Sequence, residues 1–406
     1  MRAPASKSYT IRALMCAAMA SGDSEIRYPL DSDDTRAARE VLGGIGVRLL
    51  QREDSWRVSG GRFHEPAADL FCRESAATLR FMTAICSIVP GQCRLTSAPS
   101  LAMRPIEPLL QALRQLGVDC QQNEDKTVIV RGGRLNGTAE LPGNISSQFV
   151  SALLLVSPRA DDRVSIRLTT PPESRPYVLM TLECLKEFGI EVNAAEGLRE
   201  FEIQRQEYRP VRYTVEGDWS SASYLLALGA LCGEVEVEDL NPESLQADRA
   251  ILDLLRDMGA RITVGRNSIS ASRSTLRAIR ADLSDCIDLL PTMAALAAAA
   301  DGVSDFTGVE RARLKESNRV ASVREGLERM GTKVVEERNR LTVVGGAAKG
   351  AVIDSHGDHR IAMAFSLLGS ATGGTVIDGA ECVAKTYPGF WETLKSLGGK
   401  VVTDGE

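Results

Sequence analysis

The five-residue phrase IGVRL at residues 45–49 decides how this chain is organised, because variants of it return along the whole sequence. Each variant has an apolar residue, a glycine, any residue, a charged residue and an apolar residue. The others are LGVDC, FGIEV, MGARI, MGTKV and LGGKV at residues 116–120, 188–192, 258–262, 330–334 and 397–401. Successive glycines lie 71, 72, 70, 72 and 67 residues apart, which indicates six repeats in the 406-residue chain.

The segments around these glycines predict a helix that ends just before each glycine and a strand that begins just after it. Stretches such as IEPLLQALRQ and VREGLER place apolar residues at helical spacing, so the glycine that follows is expected to be a left-handed C-cap. A strand is expected to start just after it. Alternation predicts further strands in EIRYPL, KTVIVRG, REFEIQ, NSISAS and RLTVVG.

A second set of segments is apolar on all sides, which is typical of helices in a core. These segments are RALMCAAMA, LRFMTAICSIV, FVSALLLV, SYLLALGALC, LLPTMAALAAAA and RIAMAFSLLG. Their predicted N-caps are Ser8, Ser75, Ser147, Ser221, Asp288 and Asp358. Because a helix start carries a partial positive charge, several starts facing a common space would form an anion site.

The repeats predict an α/β protein with two domains. By symmetry the boundary falls between the third and fourth repeats, where YTVEGDWSS occupies residues 213–221. Three repeats would surround each core, with the buried helices inside and the strands outside.

Composition excludes several broad classes of function. The chain has 48 basic and 54 acidic side chains and a net charge of −6, which argues against a general nucleic-acid or membrane-surface protein. No apolar run approaches the roughly 20 residues that span a bilayer. The nine cysteines form no CxxC pair, so we expect free thiols in a reducing, cytoplasmic compartment.

Charged residues gather near the predicted helix starts and in the neighbouring loops. The cations suggest a ligand with several negative charges, and acids interleaved with them can move protons if they lie in a cleft. The cations are Lys7, Arg12, Arg80, Arg104, Lys315, Arg319, Arg360 and Lys385. The acids are Asp33, Asp34, Asp218, Asp288 and Glu316.

The segment SHGDHR at residues 355–360 also invites a metal interpretation through His356, Asp358 and His359. We disfavour it, because the chain has only three histidines, no further ligand falls at suitable spacing, and Arg360 would oppose a cation. Neither GxxxxGK[ST] nor GxGxxG occurs, so a nucleotide phosphate loop is not supported.

Phrases spread along the whole chain resemble the 5-enolpyruvylshikimate-3-phosphate synthase family. In order they are ASKSYTIRA, LDSDDTR, TLRFM, RPIEPLLQALR, ISSQFVSALL, SRPYV, VEGDWSSASY, DLSDCIDLLPT, RLKESNR, GDHRIAMAFSL and KTYPGFW. The resemblance implies an α/β fold with two inside-out α/β barrel domains, each made of three βαβαββ repeats, and an active site in the cleft between them. We expect one domain at 8–215 and the other at 216–406 together with 1–7.

The resemblance also implies the reaction. The enolpyruvyl group of phosphoenolpyruvate passes to the 5-hydroxyl of shikimate 3-phosphate, and phosphate leaves through a tetrahedral intermediate. Each substrate carries a carboxylate and a phosphate, which gives the clustered cations a purpose. The resemblance implies no metal and no organic cofactor, and we expect a monomer whose partners are these two small molecules.

Site residues carry over from the family by their motifs. Those implied for shikimate 3-phosphate are Lys7, Ser8, Arg12, Ser146, Ser147, Gln148, Ser174, Tyr177, Asp288 and Lys315. Those implied for phosphoenolpyruvate are Lys7, Ala76, Arg104, Gln148, Arg319, His359, Arg360 and Lys385. We predict that Asp288 takes the proton of the 5-hydroxyl, and that Glu316 with Lys7 serves the methylene carbon.

Three features depart from the family pattern. ESAAT places Ala76 where the family has glycine and Glu74 where it has asparagine, and the extra methyl group is expected to weaken inhibition by glyphosate. KESNR carries Asn318 where aspartate is common. The segment before Lys7 is short, where the family usually has a further strand of the second domain.

Two alternatives remain open. The related transferase that acts on UDP-N-acetylglucosamine typically uses a loop cysteine, and the loop SLAMRPIEP has none. A non-catalytic repeat protein that binds a small polyanion would need the cations but neither Asp288 nor Glu316.

Overall fold

The computed structural model describes residues 1–346 and 348–402, and its contacts divide the chain into two compact units. The N-terminal unit is Ala5–Glu216, and the C-terminal unit is Gly217–Glu406 together with Met1–Pro4. Residues 5–7 thus lie with the N-terminal unit and not with the other domain as expected. The reason is local, because Ser6 caps the helix that begins at Lys7.

Helices and strands alternate along the N-terminal unit. The helices are α1 (Lys7–Met19), α2 (Asp33–Gly44), α3 (Ala76–Ile85), α4 (Pro99–Ala102), α5 (Glu107–Gln115), α6 (Ser147–Val156) and α7 (Arg175–Glu187). The strands are β1 (Gly22–Arg27), β2 (Arg48–Gln51), β3 (Ser55–Gly60), β4 (Leu70–Phe71), β5 (Gln92–Thr96), β6 (Asp119–Gln122), β7 (Val128–Arg131), β8 (Gly137–Leu141), β9 (Val164–Leu168), β10 (Asn193–Ala194), β11 (Glu200–Ile203) and β12 (Arg212–Thr214).

The strands of the N-terminal unit form sheets with one shared plan. Their orders are β12-β1-β3-β2, β4-β5-β7-β6 and β10-β11-β9-β8. In two sheets the strands that flank a buried helix pair in parallel, β4 with β5 around α3 and β8 with β9 around α6. In the first sheet β1, which follows α1, pairs in parallel with β12 from the end of the unit, and the remaining pairs of all three sheets are antiparallel. The buried helices α1, α3 and α6 pack against one another, with α3 against both of the others. Each copy of the plan therefore supplies one helix to the core of the unit.

The C-terminal unit repeats this alternation. Its helices are α8 (Trp219–Cys232), α9 (Ile251–Asp257), α10 (Leu290–Ala299), α11 (Arg319–Arg329), α12 (His359–Thr372) and α13 (Phe390–Ser396). Its strands are β13 (Glu234–Glu238), β14 (Arg261–Val264), β15 (Ser268–Ser272), β16 (Arg280–Asp282), β17 (Val303–Thr307), β18 (Lys333–Glu337), β19 (Arg340–Val344), β20 (Val352–Asp354) and β21 (Val376–Asp378).

The sheets of the C-terminal unit are β13-β15-β14, β16-β17-β19-β18 and β20-β21. The pairs β16–β17 and β20–β21 are parallel, and Arg2 forms a parallel bridge with Glu238 at the end of β13. The helices α8, α10 and α12 pack on one another in the core. The predicted α/β class is confirmed, with the apolar segments of the sequence forming the buried helices of both units.

The glycines of the repeated phrase have the conformation that the sequence predicts. Their φ angles lie between +79° and +101°, and each follows the C-cap of a helix. A strand follows each phrase except the last, where the described chain shows no strand between Gly398 and residue 402. These glycines are Gly46, Gly117, Gly189, Gly259, Gly331 and Gly398.

Several predicted N-caps are wrong by a few residues. Ser75 and Asp358 do occupy cap positions, but Ser6, Ser146 and Asp218 cap α1, α6 and α8 in place of Ser8, Ser147 and Ser221. The cap oxygen must reach an N–H two or three residues further on, so it lies before the helix and not at its first apolar turn. The carboxylate of Asp218, for example, accepts a hydrogen bond from the Ser221 N–H at 2.8 Å.

Asp288 is also not a helix cap. It lies in a short 3-10 turn, Ile287–Leu289, that leads into α10, and Pro291 stands in the first turn of that helix. The carboxylate of Asp288 is bound by cations, as described below, which leaves it unavailable to the helix N–H groups.

The cysteines and the helix lengths agree with the compositional analysis. All nine cysteines are free thiols, and Cys16 and Cys184 bring their sulfurs to 3.8 Å inside the N-terminal unit. No helix in residues 1–346 and 348–402 is long and apolar enough to cross a membrane.

Gly117→Ala tests the left-handed helix ends. At Gly117 φ is +90° and a methyl group would stand 3.3 Å from the Arg134 carbonyl oxygen, so we expect a loss of about 1–2 kcal/mol in the free energy of unfolding. Gly43→Ala is the control, because Gly43 lies inside α2 with open space around it and alanine should stabilise that helix by about 0.5–1 kcal/mol. Urea denaturation followed by circular dichroism measures both. Equal effects of the two substitutions would contradict this account of the repeats.

Candidate active site

Lys7 and Ser8 stand at the first turn of α1 in the N-terminal unit. The Lys7 ammonium donates to the Asp34 carboxylate at 2.9 Å, and Asp34 is buried near the start of α2. Ser8 is half-buried, and its carbonyl accepts a hydrogen bond from Arg12 one turn later. Asp34 therefore fixes the ammonium group that the sequence assigns to both substrates.

Arg12 is a buried cation held by neutral groups. Its guanidinium donates to the Thr181 hydroxyl at 2.8 Å and to the carbonyls of Ser8 and Tyr177 at 3.0 and 3.1 Å. It also lies 5.4 Å from the centroid of the Phe81 ring. Among the described residues no carboxylate lies within ion-pair distance of Arg12, and burial lowers the pKa of its guanidinium. A buried arginine without a carboxylate partner is suited to a ligand anion.

Arg80 of α3 orients the start of α6. Its guanidinium donates to the Gln148 side-chain oxygen at 2.7 Å, to the Ser146 hydroxyl at 3.2 Å and to the Pro105 carbonyl at 3.1 Å. Because arginine has no acceptor, the atom of Gln148 that faces it must be the oxygen. The amide NH2 of Gln148 is then the group left to donate elsewhere.

The other predicted residues of the N-terminal unit lie at helix starts or in loops. Ser147 and Ala76 are the buried first residues of α6 and α3. Ser174, the N-cap of α7, is buried and has a left-handed φ of +53°. A non-glycine residue in this region stores backbone strain, which is common at ligand sites. Tyr177 and Arg104 are half-buried.

In the C-terminal unit Arg319 lies at the centre of a group of carboxylates. Its side chain is 1% exposed and donates to Asp288 at 2.7 Å, to Glu316 at 2.6 Å and to Asp358 at 2.8 Å. Burial disfavours the charge, but the three carboxylates outweigh it and raise the pKa of Arg319 above its usual range. Arg319 thus organises the acids that surround it.

Asp288 contacts three cations of this cluster. Lys315 lies at 3.1 Å and Arg319 at 2.7 Å from one oxygen, and Arg360 lies at 3.2 Å from the other. Burial would raise the pKa of Asp288, but Arg360, Lys315 and Arg319 together hold it well below its usual range. The group is therefore a carboxylate in this structure.

Lys315 is a half-buried lysine with a lowered pKa. Burial lowers the pKa of its ammonium group to about 8, with Arg319 adding to the effect and Asp288 opposing it. Its side chain is 23% exposed and reaches Asp288 from the segment that precedes α11. A lysine of this kind can hold an anion or release a proton near neutral pH.

The remaining predicted residues complete the same cluster. Lys385 lies 3.9 Å from the Glu316 carboxylate and is largely buried. Arg360, at the first turn of α12, also contacts the hydroxyls of Tyr224 and Ser220 at 3.4 and 3.3 Å. His359 is buried, with its Nδ1 3.8 Å from an oxygen of Asp358.

The metal interpretation of SHGDHR gains no support from these contacts. Asp358 caps α12 and binds Arg319 and the Ser317 hydroxyl, so its oxygens already have partners. Within residues 1–346 and 348–402 no group of three or more histidine, cysteine or acidic side chains is placed to hold a metal ion.

Asn318, a departure from the family pattern, has a structural role. Its side-chain oxygen accepts a hydrogen bond from the Ala321 N–H at 3.3 Å and caps α11. Asparagine caps a helix about as well as aspartate does. Since Arg319 already has three carboxylates, the cluster does not need a fourth.

Sequence reasoning missed several residues of these clusters. The sequence marked Arg80 and Asp34 only as charges near helix starts, and Asp358 only as a cap and as a disfavoured metal ligand. Asp248, which lies 3.7 Å from Arg360, was not noticed at all. The available signal was the burial of a charge within an apolar segment, as for Arg80 in TLRFM, because such a charge must have partners.

Comparison with known proteins now places the chain in a family. A family model described as EPSP synthase (3-phosphoshikimate 1-carboxyvinyltransferase) matches residues 1–394. A 3-phosphoshikimate 1-carboxyvinyltransferase of Dehalococcoides mccartyi is 51% identical over 403 residues, which cover 99% of this chain and 96% of the relative. One from Methanothermobacter thermautotrophicus is 41% identical over 405 residues, with 98% and 95% covered.

A solved structure gives the same result for the fold. The EPSP synthase of Acinetobacter baumannii superposes with a TM-score of 0.81 at 26% identity, over 98% of this chain and 94% of that one. The chain belongs to the EPSP synthase (3-phosphoshikimate 1-carboxyvinyltransferase) family. The family and the enzyme class predicted from the sequence are thus confirmed.

Arg319→Met tests the organising role of this arginine. Removing it leaves three carboxylates partly unpaired, so we expect a loss of about 3–5 kcal/mol in the free energy of unfolding at neutral pH. The loss should shrink as the pH falls toward about 4, because unpaired carboxylates then take up protons.

The matched control is Arg324→Met on the same helix. Arg324 pairs with Glu328 and Glu336 at the surface, so its removal should change stability by at most about 1 kcal/mol. Chemical denaturation at several pH values measures both variants. A loss for Arg319→Met no larger than for the control would show that the buried cluster does not hold the unit together.

Proposed function

We propose that this chain transfers the enolpyruvyl group of phosphoenolpyruvate to the 5-hydroxyl of shikimate 3-phosphate and releases phosphate. The observation that carries the proposal is the cluster in which Lys315, Arg319, Arg360 and Lys385 surround Asp288 and Glu316. It combines what this reaction needs, because the cations match anionic substrates and the carboxylates can move protons.

The N-terminal unit offers the groups that suit shikimate 3-phosphate. Arg12 is buried and has no carboxylate partner in residues 1–346 and 348–402, which supports its assignment to the substrate carboxylate. Ser146 and Ser147, with Ser174, offer hydroxyl and backbone donors at the starts of α6 and α7 for the phosphate. Tyr177 is assigned to the same substrate, and its carbonyl accepts a hydrogen bond from Arg12 at 3.1 Å.

Groups of both units are assigned to phosphoenolpyruvate. Lys7 and the amide NH2 of Gln148 come from the N-terminal unit, as do Arg104 and Ala76. Arg360, Lys385 and His359 come from the C-terminal unit. Arg319 has four hydrogen bonds to carboxylates in the structure, so direct contact with phosphoenolpyruvate requires one of these carboxylates to release it.

Asp288 is assigned as the base that takes the proton of the 5-hydroxyl. With three cations around it the carboxylate is a weak base. When Arg360 and Lys315 turn toward substrate anions, less positive charge remains near the Asp288 carboxylate, so its pKa rises. The base thus gains strength only when the substrates are present.

Glu316 and Lys7 are assigned to the methylene carbon of phosphoenolpyruvate. The 5-oxygen forms a bond to C2 while C3 gains a proton, which gives the tetrahedral intermediate. C3 then loses a proton, the bond from C2 to the phosphate oxygen breaks, and the double bond returns. Glu316 lies 2.6 Å from Arg319 and 3.9 Å from Lys385, so its orientation is fixed before the reaction.

We further propose that each compact unit is a domain of the inside-out barrel type. What supports this is the packing of three buried helices on one another within each unit, with a sheet belonging to each of them. The monomeric state stays a prediction.

Asp288→Asn and Glu316→Gln test the assigned chemistry. Both keep the shape of the side chain and remove the group that moves protons, so kcat should fall by about 10²–10⁴. Phosphate release from shikimate 3-phosphate and phosphoenolpyruvate measures the rate, and calorimetry measures binding. Asp285→Asn, an exposed neighbour, is the control and should keep near-normal kcat.

Two outcomes would overturn the proposed function. The first is a wild-type protein that releases no phosphate from the two substrates. The second is normal kcat and normal ligand binding in both variants, which would favour a protein that binds small polyanions without catalysis.

Ala76→Gly tests the role of the methyl group at the start of α3. Ala76 is buried at the first residue of the helix, and its methyl group is expected to crowd glyphosate, which is slightly longer than phosphoenolpyruvate. The wild type should be weakly inhibited, and Ala76→Gly should lower the inhibition constant by about tenfold or more. Ala77→Gly is the control for loss of helix propensity. Strong inhibition of the wild type, near its affinity for phosphoenolpyruvate, would contradict this interpretation.

A further inference from the structure

Asp248 is a buried acid of the C-terminal unit that the proposed chemistry does not use. It lies in the 3-10 turn Ala247–Ala250 that leads into α9, and it is 1% exposed. One of its oxygens accepts a short hydrogen bond from the Ser220 hydroxyl in the first turn of α8. Its other oxygen, Oδ1, is buried and has no hydrogen-bond partner among the described residues.

The partnered oxygen of Asp248 faces Arg360. The distance from Arg360 to this oxygen is 3.7 Å, and the Ser220 hydroxyl lies 3.3 Å from the same guanidinium. Asp288 binds the same guanidinium at 3.2 Å, and its side chain is more exposed than that of Asp248, at 14%. Arg360 is therefore held by two acids. Asp248 is buried, whereas Asp288 is exposed enough for the substrates to reach it.

We propose that Asp248, together with Ser220, is a positioning residue that fixes the guanidinium of Arg360 for binding phosphoenolpyruvate. This inference rests on the proposed function, in which Arg360 contacts that substrate. Asp248 is too deeply buried to touch the substrate itself, so it acts through the arginine. When Asp288 releases Arg360 to a substrate anion, Asp248 and Ser220 still hold the arginine in place.

The energetics support a functional origin for this acid. Burying a carboxylate without a full set of hydrogen bonds is unfavourable, and such groups are concentrated at functional sites. Burial raises the pKa of Asp248 to about 6, with Asp288 and Asp218 adding to the rise and Arg360 and Ser220 opposing it. The nearby Cys286 thiol stays neutral, because burial raises its pKa to about 12.

The raised pKa fixes the sign of two effects. Above pH 6 Asp248 is charged and holds Arg360, and below it the protonated acid loses this ability. The effect on the free energy of unfolding has the opposite sign. An acid whose pKa is raised in the folded protein stabilises the fold least when it is charged. Asp248→Asn should therefore be no less stable than the wild type at about pH 7.5.

Asp248→Asn tests the proposal through binding of phosphoenolpyruvate. At about pH 7.5 we expect KM for phosphoenolpyruvate to rise about tenfold, with KM for shikimate 3-phosphate and kcat changed by less than about threefold. The ratio of the variant KM to the wild-type KM should fall toward about 1 as the pH drops to about 5. Because this is a ratio, protonation of the substrate itself cancels.

A double-mutant cycle shows whether the effect passes through the arginine. In an Arg360→Lys background Asp248→Asn should change KM for phosphoenolpyruvate by less than about twofold. Ser220→Ala is the second variant, which keeps the acid and should give a smaller rise of the same kind. It also serves as the test if Asp248→Asn does not fold.

The outcomes separate this inference from the proposed function. A wild type that releases no phosphate overturns both. The inference alone is overturned if the wild type is active and both Asp248→Asn and Ser220→Ala have the wild-type KM for phosphoenolpyruvate at every pH. An equal rise in KM for both substrates, or an undiminished effect in the Arg360→Lys background, also overturns it.

Discussion

A guanidinium that is 1% exposed binds three carboxylates from separate segments of the C-terminal unit. Asp358 comes from the start of α12, Glu316 from the segment before α11, and Asp288 from the turn before α10. Removing such charges from water costs several kcal/mol for each ion, so the arrangement persists only because the oxygens and N–H groups match. One arginine thereby sets the positions of both acids that we propose as proton-transfer groups.

The same ion pairs determine how the proposed function depends on ligand binding. In the structure the positive charges of Lys315 and Arg360 are directed at Asp288, which keeps this acid ionised and weakly basic. In the proposed function anionic substrates compete for these cations, so part of the binding free energy is used to release the carboxylate. A released carboxylate is a stronger base, because the charges that lowered its pKa now face the substrate. The proposed function therefore links binding and proton transfer through a single set of ion pairs.

Sequence patterns predicted what depends on local periodicity. The left-handed glycines and the apolar helices follow from residues a few positions apart, and they appear where expected. Cap positions such as Ser6 were missed, because polar residues inside the first turn look like caps. Arg80 and Asp248 were missed for a different reason, since their partners lie far away in the chain: Ser146 is 66 residues from Arg80. The family resemblance supplied the candidate site residues, but not Asp248, which lies 3.7 Å from Arg360.

The repeats also explain how one backbone arrangement serves two tasks. The buried helices of the N-terminal unit follow serine caps, Ser6, Ser75 and Ser146, whereas α8 and α12 follow Asp218 and Asp358. A neutral serine leaves the partial positive charge of the helix start for a ligand anion. An aspartate compensates that charge and can bind an arginine as well, as Asp358 does with Arg319. The cap residue thus decides whether a helix start keeps its partial positive charge or, as at α12, anchors a cation.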